Sequence, residues 1–73
     1  MPITRTSEYF ISVVSPVYNA EAILPDLVDQ IIGAIKPLNK NFEILLIEDG
    51  SPDRSWEQIE KLCLQFPEIR GIR

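Results

Sequence analysis

Histidine is absent from these 73 residues, and cysteine occurs once, at Cys63. The first absence removes a conventional Cys/His zinc site and the second an internal disulfide. The reducing cytosol suits such a chain, and a cytoplasmic location is expected. Basic runs are missing too: seven Lys and Arg face eleven Asp and Glu, for a net charge of −4. Nothing can track a phosphate backbone, so nucleic acid is not an expected partner. The opening "MPITRTSEYFISVV" lacks the apolar core of a signal peptide, and no apolar run approaches the ~20 residues of a membrane-spanning helix.

What is present is enough apolar material to fold. At 45% hydrophobic and 25% charged, the chain is globular in composition rather than disordered. A chain of this length makes at most one small domain and buries only ~60% of its unfolded surface. Residues 1–8 read as an N-terminal tail. From Tyr9 to Val17, "YFISVVSPV" has the β-branched and aromatic content of a buried strand, which Pro16 is expected to end. After Pro25, apolar residues at Leu27, Val28, Ile31, Ile32 and Ile35 form one stripe of a helix that Pro37 closes.

A second strand follows over Phe42–Ile47. Ser55 with Gln58 three residues on suggests a capping box, with Asp53 as the competing N-cap. Trp56, Ile59, Leu62, Cys63 and Phe66 then make a second helical stripe, read as core, before Pro67 and the strand-like "IRGIR". Strand, helix, strand, helix, strand is the pattern of an α/β parallel sheet. Right-handed crossovers advancing one way place both helices on one face and leave the other bare. The strands carry too little polar alternation for an exposed face, so self-association through that uncovered face is expected, as is a larger parent domain.

Ligands of open α/β sheets bind beyond the carboxyl ends of the strands, where "SPVYNAE" and "EDGSPDR" should lie side by side. Tyr18 could stack on a base and Asp49 could accept hydrogen bonds from a base or ribose. The G-x-G-x-x-G of a dinucleotide site is missing, which disfavours a nicotinamide cofactor. Turn chemistry alone explains part of the pattern: Asn19 is a good turn former, Asp-Gly-Ser-Pro a good turn, and Asp53 a better N-cap than ligand.

With "ISVVSPVYNAEAILPDLVDQI" and "FEILLIEDGSPDRSWEQIEKL" in this order and spacing, residues 9–73 resemble the N-terminal nucleotide-binding part of a family 2 glycosyltransferase. The resemblance implies the βαβα(β) portion of a GT-A, Rossmann-like sheet, incomplete in these residues. It implies a UDP- or GDP-sugar donor bound through Pro16, Val17, Tyr18, Asn19, Glu21, Asp49, Gly50 and Ser51. It also implies a divalent metal, Mg or Mn, in the full-length parent, held by residues outside this chain. The nearest likeness is to enzymes that load a sugar onto a polyprenyl or dolichyl phosphate, with a parent on the cytoplasmic side of a membrane. The family's D-x-D motif and acceptor-side base are not among these residues, so no catalytic or metal-ligating residue is assigned and the chain alone is expected to be inactive. A non-catalytic nucleotide-binding or regulatory α/β module is the alternative. A phosphoacceptor receiver fits less well, because its acidic pair follows the first strand.

Overall fold

The structure, a computed structural model, describes residues 10–73; the expected tail over 1–8 and Tyr9 lie outside them. Three strands, β1 (Phe10–Val17), β2 (Asn41–Glu48) and β3 (Ile69–Ile72), form one parallel sheet in the order β1-β2-β3. Between them run α1 (Leu24–Ile35) and α2 (Ser55–Gln65), so the α/β expectation holds.

β2 is one residue longer at each end than the expected Phe42–Ile47, and the end of β1 departs from the sequence reading for a physical reason. β1 runs through Pro16 to Val17, and Pro16 pairs in register with Ile47. Successive residues of a strand turn their N–H and C=O groups to opposite sides. The Val17 carbonyl accepts the Asp49 N–H at 3.2 Å, so Val17 bonds toward β2 and the Pro16 nitrogen faces the outer edge. Proline is tolerated there because that edge needs no donor from it.

α1 begins with Pro25 in its first turn, where a missing N–H is harmless, and gives way to a short 3-10 turn over Lys36–Leu38. Its stripe holds, with Leu24 added to it: Leu24, Val28 and Ile35 are buried. Ile59 and Leu62 are the buried residues of the α2 stripe, while Trp56, Cys63 and Phe66 pack against its margin. These side chains close over Val17, Ile44, Leu46 and Ile69 to make one core. Each fully buried Leu or Ile contributes about 1.5–3 kcal/mol relative to exposure. Gly71 lets β3 approach α2 closely, since a Cβ there would lie 2.5 Å from Cγ2 of the buried Ile59.

Both helices therefore cover the face that carries Val13, Val17, Ile44, Leu46 and Ile69. The other face has no covering element among the described residues, and Val14 on it is 56% exposed. Register sorts this face into two halves. Ser12, Glu43 and Arg70 make a polar cluster beside the exposed Phe10, with Ser12 Oγ donating to Glu43 Oε2 at 2.6 Å and Arg70 Nε 3.8 Å from Glu43 Oε1. Val14, Leu45, Pro16, Ile47 and Ile72 make an apolar half toward the carboxyl ends of the strands.

Candidate functional site

The two turns lie side by side as the sequence implies, because the Val17–Asp49 hydrogen bond carries the β1–β2 ladder one step past the strands. Tyr18 and Asn19 follow β1, and Asn19 adopts a left-handed backbone, φ +52, that asparagine tolerates better than most residues. Asp49 and Gly50 follow β2; Gly50 takes φ +67, which favours glycine.

The turns are joined by a clasp of hydrogen bonds in which one turn gives backbone donors and the other side-chain acceptors. Asn19 N–H donates to Ser51 Oγ at 3.0 Å, Ala20 N–H to Ser55 Oγ at 2.9 Å and Glu21 N–H to Asp53 Oδ2 at 3.0 Å. The exchange is reciprocal at one point, where Arg54 N–H donates to Glu21 Oε1 at 3.1 Å. Asp53 Oδ1 accepts both the Ser55 N–H, at 3.0 Å, and the Ser55 hydroxyl, at 2.6 Å. Ser55 is 0% exposed, so its hydroxyl is fully paired inside the fold.

This arrangement corrects the capping box expected from Ser55 and Gln58. Ser55 opens α2, but its hydroxyl bonds Asp53 and the Ala20 amide, while Gln58 Nε2 reaches the Glu21 carbonyl at 3.4 Å. Asp53, the competing cap, receives the amide at the helix start.

Two carboxylates are held ionised by these contacts. The Ser55 hydroxyl, followed by the amides of Glu21 and Ser55, holds Asp53 below its ordinary value, against an opposing effect of burial. Glu48, 7% exposed at the end of β2, is lowered first by the Ser51 amide and then by the Ser51 hydroxyl. Burial opposes that shift, and the Gly50 amide and the charge of Arg73 add to it. Arg73 Nε stands 3.9 Å from Glu48 Oε1, and its guanidinium lies 5.1 Å from the centre of the Trp56 ring. Glu48 thus shapes the acidic turn from beneath.

The residues proposed from sequence divide by what this geometry leaves free. Tyr18 is 63% exposed, and the Asp49 side chain has no partner among the described residues. Pro16 and the Asn19 side chain are exposed beside them. Val17 does not join this open group: its side chain is in the core and its carbonyl is taken by Asp49. Glu21 and Ser51 hold the turns together, and Gly50 lets the second turn close. Asp53, Ser55, Glu48 and Arg73 are further members that sequence reasoning did not place in the site. The D-x-S spacing of Asp53 and Ser55 was the available signal, since it sets an acceptor and a hydroxyl side by side at a helix start. A groove of about 460 Å³ lined by Trp56, Ile59, Cys63 and Gly71 runs between α2 and β3 and includes none of the turn residues.

Three parallel strands with two helices on one face form an incomplete α/β sheet, as in the N-terminal part of a GT-A fold. The chain belongs to glycosyl transferase family 2, whose family model matches residues 12–73. It is 46% identical over 57 residues to an undecaprenyl-phosphate 4-deoxy-4-formamido-L-arabinose transferase of Aeromonas hydrophila, covering 78% of this chain and 18% of that protein. Against the transferase of the same description from Pseudomonas paraeruginosa the identity is 50% over 50 residues, covering 68% and 15%. Against a dolichol-phosphate mannosyltransferase of Pyrococcus furiosus it is 39% over 63 residues, covering 86% and 17%. The chain spans less than a fifth of the length of these curated relatives.

The lowered carboxylates set an acid limit. A group whose folded pKa is depressed contributes stability above its unfolded value and loses it as pH falls through the folded one. The ordinary values are 4.5 for Glu48 and 3.8 for Asp53, so the clasp should be intact at pH 7 and weaken progressively below about pH 4.5. Thermal unfolding of the native chain and of Asp53→Asn should differ most at pH 7 and converge toward pH 2. A difference independent of pH would contradict the ionised Asp53.

Proposed function

We propose that this chain builds the nucleoside-binding part of a donor site, in a glycosyltransferase that moves a sugar from a UDP- or GDP-sugar to a polyprenyl phosphate. The observation that carries the reading is an exposed Tyr18 and an unpaired Asp49 side chain at the ends of neighbouring strands, on turns joined by the clasp. Tyr18 packs on the base, Asp49 accepts a hydrogen bond from the base N–H, and Pro16 and Asn19 flank them. Val17, Glu21, Gly50 and Ser51 support that pair through the turn backbone. Family membership and the names of the relatives support the transfer chemistry. The sugar carbon breaks its bond to the nucleoside diphosphate and forms one to an oxygen of the acceptor phosphate.

The charge of the two turns agrees with binding at the nucleoside end. Glu21, Glu48, Asp49 and Asp53 would repel a diphosphate, whereas a base and ribose are neutral. A divalent metal would offset charge on the leaving diphosphate. The described residues do not fit a metal site: no three His, Cys, Asp or Glu side chains gather among them, and both Asp53 oxygens already accept hydrogen bonds from amides or a hydroxyl. In the parent, metal ligands and the acceptor-side base come from other segments, and the chain alone is inactive. No helix among the described residues is long and apolar enough to cross a membrane. With a polyprenyl acceptor the parent would work at a membrane, and the cytoplasmic side is part of this proposal. Alone, the chain covers its apolar sheet half with a second copy.

Chemical-shift mapping with millimolar UDP or GDP should move resonances at Val17–Glu21 and Glu48–Ser51. The Asp49→Ala variant should stay folded and lose most of the response. A folded native chain with neither turn perturbed would withdraw the assignment. Affinity will be weak, because a partial pocket makes few contacts against an association cost of at least ~4 kcal/mol. Light scattering over a dilution series should reveal a concentration-dependent oligomer. A monomer at every concentration would contradict pairing through the uncovered face.

A further inference from the structure

Consecutive backbone N–H groups commonly form an anion-binding concavity. The amides of Asn19, Ala20 and Glu21 are consecutive N–H groups in the turn between β1 and α1. Each is already filled, by Ser51 Oγ, Ser55 Oγ and Asp53 Oδ2 in turn. A phosphate entering the run would have to displace these acceptors. It would also meet the carboxylates of Asp53 and Glu21, which exchange hydrogen bonds with the opposite turn.

We propose that Asp53 and Ser55 are positioning residues that set the specificity of the donor site, filling the amide run so that this turn admits the nucleoside and turns the phosphates away. Resting on the nucleoside reading of Tyr18 and Asp49, this assigns a role to two side chains that need touch no ligand. Asp53 acts through Glu21 and fixes the peptide two residues beyond Asn19; Ser55 acts through Ala20. Asp53 is suited to the task because its two oxygens serve two directions, Oδ2 toward the first turn and Oδ1 toward α2. An asparagine has only one acceptor oxygen, so Asp53→Asn would leave either Glu21 or Ser55 with an unfilled amide and would remove one negative charge. Ser55→Ala would release the Ala20 amide and leave every charge in place.

The test is a set of parallel titrations of the full 73-residue chain in metal-free buffer, with uridine against UDP and guanosine against GDP, followed at the amides of residues 17–21. The native chain should bind the nucleoside at least as tightly as its diphosphate. In Asp53→Asn the ratio of nucleoside to diphosphate affinity should fall by about threefold, as one unit charge is removed several ångströms from a phosphate near solvent. In Ser55→Ala the ratio should fall in the same direction by a smaller factor, and the Ala20 amide should lose protection from hydrogen exchange. A purely structural role would weaken both ligands alike, and an unchanged ratio in the variants overturns the specificity role while the nucleoside reading stands. Failure of the native chain to bind either ligand overturns the nucleoside reading and this role with it. If Asp53→Asn does not fold, the ratio in Ser55→Ala decides.

Discussion

The amides of Asn19, Ala20 and Glu21 follow the last residue of β1 and precede α1, so neither a sheet ladder nor a helix takes them up. An amide shut off from water without an acceptor costs about 1–3 kcal/mol, a penalty that bears on the part-buried Ala20 and Glu21 amides more than on the exposed one of Asn19. Satisfying three in succession from one neighbouring turn constrains both turns at once. Ser51, Asp53 and Ser55 must stand where β2 ends and α2 begins, and β1 must pair with β2 in the register that brings Val17 beside Glu48. Tyr18 and the Asp49 side chain take no part in the clasp and stay exposed.

Electrostatics gives the arrangement its direction. Four carboxylates at the ends of two adjacent strands would repel one another in the absence of donors. Asp53 and Glu21 are drawn onto backbone amides, and Glu48 onto the Ser51 amide with Arg73 nearby. Asp49 alone of the four has no side-chain partner among the described residues. A carboxylate without a partner on such a turn is available to a ligand, while its neighbours keep their charges and have them stabilised by the amides they accept from.

Most of the fold is legible in the sequence because it depends on local periodicity and on handedness. The apolar spacing of Val28, Ile32 and Ile35 and of Ile59 and Leu62 specifies two helices, and the runs around Val13 and Ile44 specify strands. One-handed crossovers then put both helices on the same face. Pro16 is misread because its effect depends on which side of β1 is paired, and that is a property of the sheet rather than of the residue. Ser55 is misread for a similar reason. Its spacing to Gln58 fits a local cap, whereas its hydroxyl is claimed by an amide 35 residues away. The two turns are visible as a pair in the sequence, but the division of labour between them is not. Whether a carboxylate holds a turn or faces a ligand depends on contacts between segments distant in the chain.

The clasp itself can be observed directly through the small scalar couplings that cross hydrogen bonds. In a uniformly 13C- and 15N-labelled chain at neutral pH, a long-range HNCO spectrum should connect the Glu21 amide nitrogen to the Asp53 carboxyl carbon. It should likewise connect the Arg54 amide nitrogen to the Glu21 carboxyl carbon. The ladder bond from the Asp49 amide to the Val17 carbonyl serves as the internal reference. Detection of that reference coupling without either carboxyl coupling would mean that the strands pair while the turns are not clasped, and would contradict the account.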